Sequence, residues 1–347
     1  MVTQFDEYKM ITCTSKVPWK ELQHKTILVA GATGLIGSSV IKAIIAMNKL
    51  LELGCHIIAF VRNTAKAKAL FGSEIQIIQG EIETHISIND SVDFIINAAC
   101  PTQSSFMVSN PVDVITASVL GTINLLELAK EKKASFLFLS SMEVYGELQE
   151  ERLLKEDMLG YLNPLTIRSC YPESKRMCEA LVASFSCQYG VNAKSIRLAQ
   201  TFGPGIDYND KRVFAMMARC AIEDTEIVLK TKGASKHQYL YVFDAVAAIL
   251  FVLLLGEPGR SYNAGNPDTF CSIFEMGKMV AERFGGVNCK VRVEETANSI
   301  FPKTSLINLD ISAISSLGWK PMIGLEEMYQ HLIDYLMQIS FSSKASD

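Results

Sequence analysis

Of the eleven tyrosines in the chain, only Tyr171 has a lysine four residues later, Lys175. On a helix that spacing sets both side chains on one face. An ammonium there favours the ionised phenol and lowers its pKa towards the working pH. The tyrosinate then takes a proton from an alcohol while a hydride leaves the same carbon. Roughly thirty residues upstream, an apolar run ends in Leu139-Ser-Ser-Met-Glu-Val-Tyr-Gly146. The hydroxyl of Ser141, at the strand end, can bond the same reacting oxygen. A Tyr-x-x-x-Lys pair alone has little weight, because a solvated helix face supplies one by chance.

A hydride needs an acceptor, and the N-terminal region supplies a place for one. Thr26-Ile-Leu-Val-Ala-Gly-Ala-Thr-Gly-Leu-Ile-Gly37 runs from an apolar strand through Gly31, Gly34 and Gly37 into a helix-like segment. The first glycine permits a sharp turn, the second the approach of backbone amides to a pyrophosphate, and the third close packing of helix on strand. The helix N-terminus then faces the phosphates with its partial positive charge.

The elements that must carry these groups alternate. Apolar strands are predicted over 27–30, 56–61, 75–79, 94–98, 136–140 and 193–198. Helices are predicted over 36–47, 112–132 and 171–189. Strands buried on both faces and separated by helices predict an α/β fold, a Rossmann-type doubly wound parallel sheet. After Gly203-Pro-Gly205 the pattern is less regular, with helices over 213–222, 273–284 and 311–317, a short strand over 227–229 and a turn over 256–261. The division expected is an N-terminal extension over 1–24, a dinucleotide-binding domain over 25–202 plus about 236–265, and a smaller substrate lobe over 203–235 and 266–347. Ligands of such sheets lie at the carboxyl ends of the strands, which the lobe would cover.

Composition excludes several classes. The net charge is −4 without a dense basic block, which argues against nucleic acid or an anionic membrane as the main partner. Nine cysteines are scattered with no CxxC pair, which fits free thiols in a reducing compartment. The histidines show no metal spacing, so no metal is expected. The first residues lack a signal-peptide core, and the longest apolar run, 245–255, is too short for a bilayer and reads as a buried helix. A cytoplasmic protein is expected.

Taken in order, GATGLIG (31–37), NAAC (97–100), GTINLLELA (121–129), SSMEVYG (140–146), YPESK (171–175), RLAQTFGPG (197–205), YLYVFDA (239–245) and LGWKP (317–321) resemble an extended short-chain dehydrogenase/reductase of the NAD-dependent epimerase/dehydratase family. The resemblance spans about residues 25–330 and is closest to the UDP-glucuronate decarboxylase and dTDP-glucose 4,6-dehydratase branch. It implies a nucleotide-sugar substrate, oxidised transiently at sugar C4 with hydride recycled internally. It implies Tyr171 as base, Lys175 on the ribose, Ser141 on the sugar O4, and Glu143 as a carboxylate able to move the C5 proton. Against that stands Glu143 as a strand-end carboxylate bonded to backbone. The cofactor would contact Gly31, Thr33, Gly34, Leu35, Ile36, Gly37, Arg62, Ala98, Ala99, Tyr171 and Lys175. The substrate would contact Ser141, Gln200, Arg212 and His237. Arg212 either forks onto the diphosphate or is an exposed loop arginine. A homodimer through the outer faces of helices 112–132 and 171–189 is also implied.

The chain departs from the family pattern at several positions. Met142 replaces the acid that helps a C6 hydroxyl leave in 4,6-dehydratases. His237 replaces an arginine on the diphosphate, and Gln200 replaces an asparagine. Residues 307–310, Ile-Asn-Leu-Asp, lack the arginine of decarboxylases. The second strand ends Phe60-Val61-Arg62-Asn63 with no carboxylate for a ribose 2′-hydroxyl. NAD is the family cofactor, whereas Arg62 suits NADP. A lyase of the dehydratase/decarboxylase type is favoured. A C4 epimerase, an NADPH-dependent keto-sugar reductase and a non-catalytic nucleotide-binding protein are the alternatives.

Overall fold

The computed structural model describes residues 16–148, 150–295 and 305–344, with the side chains of 341–344 left out. The expected parallel sheet is present and has seven strands. They are β1 (Thr26–Ala30), β2 (His56–Val61), β3 (Gln76–Gln79), β4 (Phe94–Asn97), β5 (Ser135–Ser141), β6 (Ala193–Leu198) and β7 (Ser261–Ala264). Their order is β7-β6-β5-β4-β1-β2-β3, and every pairing is parallel. The order reverses between β1 and β4, the crevice where doubly wound sheets take their ligands. Strand β7 was not anticipated: Ser-Tyr-Asn-Ala is too short and polar to announce a strand, and its pairing with β6 decides it.

The helices flank this sheet. They are α1 (Leu35–Leu51), α2 (Thr64–Phe71), α3 (Pro111–Lys132), α4 (Cys170–Tyr189) and α5 (Val242–Leu255). Proline stands in the first turn of α3, where its missing N–H costs nothing, and α4 stops at Gly190 in the left-handed conformation, φ 66°. The apolar run over 245–255 lies in α5, buried from Val242 to Leu253 against α1 and the sheet. By length and composition α3 is long and apolar enough to cross a membrane, yet it packs on α4 and on the face of the sheet at β4 and β5.

The later region is more ordered than its sequence pattern suggests. Lys236–Tyr241 pairs antiparallel with Asn266–Ser272 and parallel with Gln200–Phe202 and Leu306–Leu309. A two-stranded sheet joins Ile227–Leu229 to Val291–Val293. The helices over 213–223, 273–284 and 312–316 occur within a residue of expectation at most boundaries, and a long helix over 325–344 was not anticipated. Residues 16–24 do not stand apart: Trp19 and Leu22 are buried in the main core. Residues 1–15 of the expected extension lie outside the described residues.

All eight described cysteines are free.

Candidate active site

The glycine turn fits a dinucleotide pyrophosphate by its shape. Gly31 has φ +76°, and a Cβ there would stand 2.5 Å from the Ala98 carbonyl and 2.6 Å from the Ala99 amide. Only glycine lets β1 turn this close to the end of β4. A Cβ on Gly37 would stand 2.4 Å from the Gly31 carbonyl oxygen. The third glycine therefore makes room for the turn itself rather than for the strand. Gly34 is different: its missing Cβ would meet nothing nearer than 3.4 Å, so its outer face is open. Gly34 caps α1 without a side-chain bond, and the first turn carries no acid. The amides of Leu35, Ile36 and Gly37 are the unpaired donors of a helix start, available to an anion. Thr33 is half-buried beside them.

Across the crevice, β5 delivers Ser141 and α4 delivers Tyr171 and Lys175. Tyr171 and Lys175 share one face of α4, as their spacing requires, and both are buried. Lys175 Nζ donates to the Leu139 carbonyl at 2.7 Å, fixing the ammonium under the end of β5, 5.6 Å from the Tyr171 ring centroid. Two of its three N–H groups remain for ribose hydroxyls. The Ser141 hydroxyl meets the Tyr171 phenol and accepts the Glu143 amide at 3.2 Å, capping the short 3-10 turn Met142–Tyr145. Strand end, turn and helix start thus bring together three of the groups expected from sequence.

The phenol is not activated as anticipated. Burial pushes Tyr171 well above the ordinary phenol value, and Cys100 and Glu143 add to the shift. The hydrogen bond with Ser141 and the guanidinium of Arg168 act in the opposite direction but do not prevail. Lys175 is directed at Leu139 as well as towards the phenol, so its charge is shared.

Glu143 is not bonded to backbone through its carboxylate. It forms an ion pair with Arg168, whose Nη2 lies 2.9 Å from each carboxylate oxygen. The Arg168 guanidinium also sits 5.5 Å from the Tyr171 ring centroid, and its buried Nη1 has no hydrogen-bond partner among the described residues. Arg168 is a site residue that the sequence motifs do not include. The available signal was its place three residues before Tyr171, one helical turn away. Cys100, at the mouth of β4 and packed on Tyr171, also went unassigned.

The expected substrate contacts fare unevenly. Gln200 begins the short strand Gln200–Phe202, which pairs with Lys236–Tyr241. Arg212 is neither free nor merely exposed: it precedes the helix Val213–Glu223 and grips Asp210 through Nε at 3.1 Å and Nη2 at 2.6 Å. A diphosphate would have to compete with that carboxylate. His237 hydrogen-bonds Ser305 at 2.5 Å, and burial drives its pKa down to about 4. It is a neutral partner, not a substitute for an arginine charge. Arg62 lies exposed past the end of β2.

The neutral His237 has a consequence for acid stability. Its unfolded-state pKa is near 6.5, so between about 6.5 and 4 the unfolded chain binds a proton the fold refuses. Stability from this group is complete above that window and is lost as pH falls through it, by up to about 3 kcal/mol. Thermal melts from pH 7.5 to 4.5 should show a smaller Tm loss in His237→Asn than in the native chain. Equal slopes would disprove the assignment.

A second buried cluster supports the site from behind. Arg197 on β6 grips Glu179 on α4 through Nε at 2.9 Å and Nη2 at 2.7 Å. Its Nη1 reaches the Tyr145 hydroxyl at 3.0 Å and the Glu156 carbonyl at 2.6 Å. Ser140, beside Ser141, donates to Glu179 at 2.5 Å. The side chains of the pair are only 5% and 10% exposed.

The sequence profile of the NAD dependent epimerase/dehydratase family matches residues 27–265. UDP-glucuronic acid decarboxylase 6 of Arabidopsis thaliana is 31% identical over 304 residues, 87% of this chain and 85% of that protein. UDP-glucuronic acid decarboxylase 1 of Xenopus tropicalis is 28% identical over 321 residues, 91% of this chain and 73% of that protein. Among solved structures, the UDP-glucuronic acid 4-epimerase of Bacillus cereus, in complex with UDP-glucuronic acid and NAD, superposes with a TM-score of 0.74 at 22% identity, covering 90% of this chain and 99% of that one. The dTDP-glucose 4,6-dehydratase of Bacillus anthracis, in complex with NAD, gives 0.73 at 20% identity, with 90% and 97% covered. At these identities the solved structures share the fold.

Proposed function

The chain belongs to the NAD-dependent epimerase/dehydratase family and is an enzyme, and from that premise we propose that it is a nucleotide-sugar lyase. Its favoured substrate is a nucleotide hexuronate, which it decarboxylates after transient oxidation at C4. The observation that carries this choice is the cluster of Ser141, Glu143, Arg168 and Tyr171. The decarboxylase relatives support the substrate class.

When bound, a nicotinamide dinucleotide supplies a two-electron acceptor for C4 and a positive charge that opposes the upward shift of the phenol. Gly31 to Gly37, Ala98, Ala99 and Lys175 would hold it. The protein's own part begins with Tyr171, which takes the C4 hydroxyl proton while Ser141 fixes the oxygen. With C4 a ketone, the C6 carboxylate is that of a β-keto acid. The C5–C6 bond breaks, carbon dioxide leaves, and the electron pair passes to the C4 oxygen as an enolate. Tyr171 and Ser141 bond that oxygen. A proton drawn from solvent reaches C5 through Glu143, with Arg168 fixing its position. C4 then regains the hydride it gave up, Tyr171 returns its proton to the C4 oxygen, and the net change is loss of carbon dioxide with uptake of one proton. Loss of water from C6 would instead need an acid near O6. Met142 is buried and its thioether donates no proton, which disfavours dehydration.

A C4 epimerase is the second candidate, because Arg168 occupies Glu143 and epimerisation makes no use of a C5 base. The division into a dinucleotide-binding domain over 25–202 plus about 236–265 and a substrate lobe is part of the same proposal, as is a cytoplasmic location.

Mass spectrometry of the purified enzyme with UDP-glucuronate and with UDP-, dTDP-, CDP- and GDP-hexoses separates the candidates. Loss of carbon dioxide is expected from the uronate, slowed about 10²–10⁴-fold in Glu143→Gln. A product of unchanged mass, made equally by Glu143→Gln, would establish the epimerase instead.

We also propose a homodimer. On α3, Val112, Ile115 and Leu120 are exposed, as is Met177 on α4, an apolar face that a second copy would cover. Light scattering should give twice the chain mass at micromolar concentration. A monomer there would remove the dimer.

A further inference from the structure

The adenosine end of the cofactor crevice lacks the group that an unphosphorylated ribose requires. Ala30 on β1 lies beside Phe60 on β2, so the residues that follow β2 flank the glycine turn. A dinucleotide whose pyrophosphate rests on that turn must place its adenosine ribose near residues 61–63. An NAD site normally offers a carboxylate there. From Leu53 to Ser73 the sequence contains no Asp or Glu. The other polar side chain at hand is committed: Asn63 Oδ1 accepts the Lys66 amide at 2.9 Å, capping α2.

Arg62 stands in the vacant role. Its carbonyl accepts Gln79 Nε2 at 3.3 Å, which fixes the backbone, while its guanidinium is exposed and has no partner among the described residues. Lys66 and Lys68 on α2 add positive charge, and both are exposed. The opposing acid is Glu81, exposed beyond the end of β3 on the neighbouring strand. A ribose 2′-hydroxyl would find no carboxylate to donate to at the end of β2. A 2′-phosphate would find a planar fork of N–H donors, the geometry that suits phosphate best.

We propose that the cofactor site is built for a 2′-phosphorylated dinucleotide, with Arg62 as the residue that selects NADP(H) over NAD(H). The inference rests on the dinucleotide site described under the proposed function.

The test is equilibrium binding, by calorimetry or quenching of tryptophan fluorescence, with NADP⁺ and NAD⁺ as probes. The native chain should bind NADP⁺ about 10–100-fold more tightly, the size expected of charge-assisted bonds to one phosphate. Arg62→Ala should bring the ratio of the two dissociation constants close to one. Arg62→Lys should keep part of it, and Arg62→Asp should invert it. Raising the salt concentration should narrow the native ratio. Equal or tighter binding of NAD⁺ by the native chain would overturn the inference while leaving the dinucleotide site intact. So would a loss in Arg62→Ala that falls equally on both probes, which is the mark of stacking on adenine. Failure of both probes to bind would overturn the dinucleotide site and the inference with it.

Discussion

A Tyr171→Phe variant is expected to lose about 10²–10⁴-fold in kcat, the contribution of a positioned proton acceptor, with little change in affinity for the nucleotide-sugar. The phenyl ring keeps the packing against Met107, Val114 and Cys170, and only the hydroxyl bonded to Ser141 is lost. Burial holds the phenol above its ordinary value, so the reactive anion is the scarcer form at neutral pH. The native kcat/KM should therefore rise as pH is raised from 6 to 9. The same profile in an Arg168→Met variant should lie further to alkaline pH, because Arg168 is one of the influences that lower the phenol. A Tyr171→Phe enzyme retaining native turnover would remove Tyr171 from the chemistry.

The second large effect concerns stability. An Arg197→Met variant should be destabilised by about 3–5 kcal/mol, because it leaves the Glu179 carboxylate buried without its counter-charge. It also strips Tyr145 and the Glu156 carbonyl of a donor. At about 2 °C per kcal/mol for a chain of this size, Tm should fall by about 6–10 °C. The double variant Arg197→Met, Glu179→Leu should recover most of the loss, since an apolar pair of similar volume avoids the cost of desolvating two charges. Thermal melts of the two variants read this directly. A single variant within 1 °C of the native chain would show that the pair contributes no net stability. The cluster ties α4 to β5 and β6 just behind Ser141, so its loss should loosen the placement of Ser141 relative to Tyr171.

Much of this molecule is legible from local chemistry. Strands β1 and β2 are nearly continuous apolar runs buried throughout or nearly so, and their boundaries follow from composition. The three glycines follow from a strand that must turn into a helix. The shared face of Tyr171 and Lys175 follows from the helical repeat, because both belong to one element. These features depend on residues near one another in the chain, and the periodicity of helix or strand is enough to place them.

What the sequence could not show depends on distant residues meeting. Arg168 and Glu143 are 25 residues apart and on different elements, and only the packing of α4 across β5 makes them a pair. Arg197 and Glu179 form a buried pair because β6 lies beside α4. Arg212 appeared free to bind a phosphate until the loop folded Asp210 onto it, and His237 appeared polar until burial made it neutral. Strand β7 and Leu306–Leu309 become strands by pairing, not by propensity. The pKa of Tyr171 is the clearest case. From spacing alone the lysine beside it should lower the value, but desolvation scales with how completely the surrounding chain excludes water. Which residues can do chemistry was set by sequence, whereas charge state and partner were set by burial and by contacts that exist only in the folded chain.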